Sequence, residues 1–100
     1  MVVVAILKVR QSVVEEFRNY ERRVAGVMRK HGGDIERTVV VPAGDDGDTL
    51  DEIHFIRFPD QSAFTAYQAD PDRRALEPVR RAVVVDTEIF VGEDGPDYRR

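Results

Sequence analysis

The sequence predicts an α+β domain, with four strands and two helical regions in the order β-α-β-β-α-β and the helices on one face of an antiparallel sheet. Three observations predict it. A strongly amphipathic helix lies between two β-branched stretches. A turn-rich acidic segment joins the second stretch to a third. A proline-interrupted helical region then precedes a fourth.

The first strand is Val2 to Val9, aliphatic and β-branched. Gln11 and Ser12 end it, and Ser12 to Glu15 has the S-x-x-E spacing of a capping box. Val13, Phe17, Tyr20, Val24, Val27 and Met28 then recur at steps of three and four, so one helix face is apolar. His31-Gly32-Gly33 closes that helix, because glycine takes the left-handed C-terminal conformation at little cost. Ile35 to Val41 is the second strand, stopped by Pro42, and Ala43 to Thr49 is turn chemistry. Leu50 to Phe58 is the third strand, paired with the second through that hairpin. Pro59-Asp60 ends it, with Asp60 or Ser62 capping the next helix, whose apolar side carries Phe64 and Tyr67. Asp70-Pro71-Asp72 restarts a helix and Pro78 breaks it within a turn, so short helical pieces are expected. Val83 to Val91 contains the last strand. The two β-α-β halves make the ferredoxin-like pattern. Residues 1–92 are read as one domain and residues 93–100 as a polar tail, mobile or draped on a neighbour.

With 100 residues, the chain is expected to fold to about 5,800 Å² of surface, which allows one modest core. The net charge of −4 disfavours a phosphate polymer as partner. One basic cluster, Arg73, Arg74, Arg80 and Arg81, is interleaved with Asp70, Asp72 and Glu77, and reads as a solvated helix face. No nucleic-acid role is expected. There is no cysteine, which removes thiolate chemistry and Cys-ligated metals. The apolar run from Val2 to Leu7 is too short for a signal-peptide core or a membrane span, so the cytoplasm is the default expectation.

The strands do not alternate as a sheet with one wet face should. Val2 to Leu7, Val39 to Val41, the set Ile53, Phe55, Ile56 and Phe58, and Val83 to Val85 are apolar on both faces. Two right-handed crossovers put both helical regions on the same side, which leaves the other face in need of cover. A second copy of the chain is the expected cover, so a homodimer is predicted.

The stretch Glu52 to Glu93 resembles small proteins of the dimeric α/β barrel superfamily. The residues that carry this are Phe58-Pro59, Tyr67, Leu76, Pro78, Arg80, Gly92 and Glu93. It is similar both to a small domain family of unknown function and to the antibiotic biosynthesis monooxygenase-like group. The match is close over the C-terminal half and only in pattern before it. The resemblance implies sheets packed back to back across a dimer, with each subunit's pocket between its helices and its sheet. The superfamily includes cofactor-free monooxygenases, haem-degrading enzymes, isomerases and cyclases, and fold alone does not choose among them.

His54 is the candidate catalytic residue. Alternation places it with Ile56 and Phe58, on the side facing the helices. Tyr20 and Tyr67 are the candidate substrate-binding residues, since both lie on the apolar sides of their helices. A histidine among phenols in an apolar cleft can take a proton from a phenolic or enolic ligand, and the anion formed can itself reduce dioxygen without a cofactor. The bland alternative is a core histidine bonded to one tyrosine. Arg57, on the opposite face, reads as an interfacial ion pair, and His31 as a helix-terminal cation complementing the dipole. Asp45, Asp46, Asp48, Asp51 and Glu52 fail the calcium-loop spacing around Gly47, and two distant histidines make no zinc site. No phosphate loop and no nucleophile elbow is present, and no metal or cofactor is expected. Without tryptophan, the aromatic haem packing of some haem-degrading relatives has no counterpart. Two functions follow: a small-molecule-binding, cofactor-independent monooxygenase-like enzyme, or a non-enzymatic dimeric structural or regulatory module. Binding of nucleic acid through the arginines is a weaker third.

Overall fold

A computed structural model describes residues 1–42 and 47–99. These form β1 (Val2–Arg10), α1 (Val14–Lys30), β2 (Asp34–Val41), β3 (Thr49–Arg57), α2 (Gln61–Ala69), α3 (Pro71–Ala75), α4 (Glu77–Val83) and β4 (Asp86–Gly92). The strands make one antiparallel sheet in the order β2-β3-β1-β4, the ferredoxin-like arrangement expected. Asp45 and Asp46, part of the acidic hairpin, lie outside the described residues.

The inner face of the two central strands carries the core. Val3, Ala5, Leu7 and Val9 of β1 lie beside Leu50 and Ile56 of β3, and Phe17, Tyr20, Val24, Val27 and Met28 of α1 cover them. Glycine shapes the turn into β2. Gly32 has φ +76°, and the Gly33 N–H donates to the Met28 carbonyl at 2.9 Å, which closes α1. A Cβ on Gly33 would stand 2.5 Å from the Phe58 ring, so the bare backbone is what lets that ring sit beneath it.

Two local expectations are corrected, and Arg57 is given partners within its own chain. The capping box at Ser12 does not form. Gln11–Val13 is a 3₁₀ turn, and α1 starts after Val13 with no side-chain cap. The Gln11 N–H donates to the Asp48 carbonyl at 2.8 Å, which ties this turn to the approach of β3 and moves the helix start past Ser12. Val83 to Val85 are not strand residues. Val83 ends α4, Val84 follows it in extended backbone, and β4 begins at Asp86. A short β-branched run reads equally as strand or as buried helix end. Arg57 forms its ion pairs within its own chain, to Glu36 at 3.0 Å and to Asp94 at 2.9 and 3.1 Å. These also tie the start of the tail to the sheet.

The remaining helix ends fall as expected. The Asp60 carboxylate accepts from the Ala63 N–H at 2.8 Å and caps α2. Asp70 caps α3 by accepting from the Asp72 N–H at 2.8 Å, with Pro71 in the first turn. Asp70 also accepts from Lys30 at 2.9 Å and pairs with His31 at 2.7 Å, which fastens the end of α1 to the α2–α3 junction.

Among the described residues, no helix covers the outer face of the sheet. Register places Val2, Val4 and Ile6 there beside Ile53 and Phe55, with Val39, Val41 and Phe90 on the flanking strands. Phe90 is 57% exposed and Val41 40%. The molecule measures 40 × 36 × 17 Å, a slab of one sheet and one helical layer. No helix among the described residues is long and apolar enough to cross a membrane.

Candidate functional site

β3 carries Leu50, Glu52, His54 and Ile56 inward at every second position. Two of these four are polar, and both are buried: Glu52 is 6% exposed and His54 2%. They satisfy each other, with His54 Nε2 2.8 Å from Glu52 Oε1. On the other side of the ring, His54 Nδ1 lies 3.6 Å from Glu21 Oε2, presented by α1. His54 is therefore held between two carboxyl groups, one from its own strand and one from the helix above.

Two buried carboxyl groups beside one imidazole cannot both ionise cheaply. The Glu21 carboxyl is pushed up to about 8, first by burial and then by Glu52, while Arg80 opposes the rise. Glu21 is thus largely a neutral acid at neutral pH. With Nε2 engaged by Glu52, Nδ1 is the ring nitrogen turned toward Glu21.

His54 and Glu21 line a cavity of about 90 Å³ between the sheet and the helices. Tyr20, Tyr67, Arg73 and Arg80 line it too, over a floor that includes Val3, Ala5 and Ile56. Tyr67 is fixed by aromatic contacts: Phe58 lies 5.4 Å and Phe64 6.4 Å away between ring centroids. Burial pushes both the Tyr20 and the Tyr67 hydroxyls up, so they remain phenols and hydrogen-bond donors. His54, Glu21 and Glu52 also border a second recess on the far side, between α1 and β2.

All three expected site residues border one cavity. The bland alternative paired His54 with a tyrosine; its ring bonds to Glu52 instead. Glu21 and Glu52 were missed, although signals for both existed. Glu52 is two residues before His54 and so shares its face. Glu21 is four residues after Phe17 and three before Val24, which places it on the buried side of α1. The arginine cluster is corrected in part. Arg74 and Arg81 are exposed, while Arg73 and Arg80 are half-buried in the cavity wall. Arg80 donates to Thr87 Oγ1 at 2.6 Å, and the Arg73 guanidinium lies 5.3 Å from the Tyr67 ring centre. Among the described residues, no group of three or more His, Asp or Glu is arranged to hold a metal ion.

This architecture is the one found in antibiotic biosynthesis monooxygenase-like proteins. The chain is similar to SnoaB, a cofactor-independent oxygenase from Streptomyces nogalater, at a TM-score of 0.63 and 18% identity over 94% of each chain. It is also similar to an antibiotic biosynthesis monooxygenase, at a TM-score of 0.65 and 16% identity over 96% of this chain and 100% of the other. A protein of unknown function from Rhodopseudomonas palustris matches at a TM-score of 0.64 and 18% identity, over 94% of this chain and 84% of the other. At these identities the likeness is one of fold. No protein-family model and no curated protein matches the sequence.

Proposed function

We propose that the chain is a cofactor-independent, monooxygenase-like enzyme acting on a small phenolic or enolic molecule, and that it works as a homodimer. The observation that carries the reading is His54, bonded to the buried Glu52 and lining a cavity that is also lined by two protonated tyrosines. In this reading His54 accepts a proton from the ligand, Glu52 stabilises the imidazolium, and Tyr20 and Tyr67 donate to the ligand anion. The electron pair left on the ligand carbon reduces dioxygen, and the proton returned by His54 makes the product a carbon-bound hydroperoxide. Loss of water from it leaves a carbonyl, so one methylene and one dioxygen become one carbonyl and one water. The dimer is supported by the apolar outer face and by the slab shape, since a second sheet laid on the first would bury Phe55 and Phe90.

Oxygen uptake is the direct test. Purified protein is mixed with a panel of hydroquinones, anthrones and 1,3-diketones, with His54→Gln as comparison. The expected result is uptake that falls at least 100-fold in H54Q, in line with the usual worth of a positioned base. Equal rates for both proteins, or no ligand binding at all, would favour the non-enzymatic dimeric module.

A further inference from the structure

The arginine cluster has a place in the fold that the proton chemistry at His54 does not use. Arg73, Arg74, Arg80 and Arg81 surround an open depression of about 630 Å³ on α3 and α4, with Glu77 as the one carboxylate among its lining residues. Arg73 and Arg80 border both this depression and the inner cavity. Two arginines are therefore common to both recesses, in a chain whose net charge is −4.

Their charges are only partly answered. Glu77 stands 3.6 Å from both Arg80 and Arg81, one carboxylate shared by two arginines. No carboxylate of the described residues forms an ion pair with Arg73. Its Nη1 makes a long 3.4 Å bond to the Gln68 carbonyl. A guanidinium has five N–H donors, so both side chains are held in place with donors to spare. Size points the same way. The inner recess, at about 90 Å³, is smaller than the roughly 150 Å³ cavity that holds a benzene, so a ring seated inside must reach out through the mouth.

We propose that the ligand carries a carboxylate, which docks on Arg73 and Arg80 at the mouth while its ionisable hydroxyl or methylene turns inward to His54. This rests on the site reading above and names its substrate class. The planar fork of arginine matches a carboxylate in two parallel bonds, and the ring of four arginines steers an anion to the opening. The neutral state of Glu21 avoids repulsion between the ligand anion and the far wall.

The experiment is calorimetric and NMR-detected binding of three probes: 4-hydroxybenzoate, its neutral isostere 4-hydroxybenzyl alcohol, and phenyl phosphate. Each is tested on the wild type, Arg80→Gln, Arg73→Gln and His54→Gln, with circular dichroism confirming folding. The expected result is at least tenfold tighter binding of 4-hydroxybenzoate than of the alcohol, weakening with salt. Each arginine variant should lose that preference and H54Q should keep it. Equal affinity for acid and alcohol, or a preference that survives in both arginine variants, overturns the proposal and leaves the His54 site standing. Tighter binding of phenyl phosphate than of the benzoate overturns the carboxylate assignment. Binding of none of the probes at millimolar concentration overturns both the proposal and the site reading beneath it.

Discussion

At the scale of single residues, Glu21 and His54 each tie the stability of the fold to the candidate site. Glu21 holds its proton more tightly folded than unfolded. Its stabilising neutral form is fully present below the ordinary glutamate value of about 4.3 and is lost as the pH rises through about 8. Thermal melts at a series of pH values should therefore show the wild type declining between about pH 5 and 8, with Glu21→Gln flat over that window. His54→Ala should cost about 1–3 kcal/mol, because the buried Glu52 carboxyl group loses its hydrogen-bond partner. Adding Glu52→Gln to that variant should restore part of the loss, as denaturant titration would show. His54, Tyr20 and Tyr67 were legible because alternation and helical spacing assign a face to each. The carboxyl groups were hidden by composition. Glu52 sits in a run of acids that reads as a solvated turn, and Glu21 in a helix rich in exposed charge, where only position relative to Phe17 and Val24 marks it as buried.

At the scale of elements, the junctions do more than the rods. Asp70 joins α1 to α3 by accepting from His31, Lys30 and the Asp72 N–H, and these bonds hold its carboxyl well below the usual range. A depressed acid contributes stability that is present above its unfolded value and is lost as the pH falls toward the folded one. Asp70→Asn should lower the melting temperature at pH 7, and the gap to the wild type should close as the pH drops below about 4. Gly33→Ala should cost about 1–3 kcal/mol by pressing a methyl group into the Phe58 ring. Prolines and glycines made these boundaries readable, because they act through their own backbone geometry. The start of α1 and the run Val83 to Val85 were misread for a shared reason. What decided them, the Asp48 carbonyl in one case and the end of α4 in the other, lies outside the local pattern.

At the scale of the whole molecule, surface is the quantity that stands out. The chain exposes 6513 Å², against about 5,800 Å² for an ordinary monomer of its mass. Its radius of gyration is 14.3 Å, where a compact 100-residue domain has about 13 Å. Both excesses fit a slab with an uncovered sheet face. Sedimentation equilibrium should give twice the 11.4 kDa chain mass, and Phe90→Asp should return the mass to that of one chain. A single-chain mass for the unaltered protein would refute the dimer. Strand order was legible from the β-α-β-β-α-β sequence of elements, and so was the apolar second face. Whether a partner occupies that face depends on a surface that one chain does not contain.

The sheet order also sets a timetable. β1 is a central strand, and its Val3 pairs with Ile56 on one side and Val91 on the other. During synthesis the first strand made is thus among the last completed, since one neighbour forms only when residues 86–92 emerge. Until then a strand that carries no charge from Val2 to Leu7 waits with an open edge, the kind of segment that joins other chains. A chain cut short before Asp86 would keep that edge for good, and would be expected to aggregate even though α1, β2 and β3 are all present.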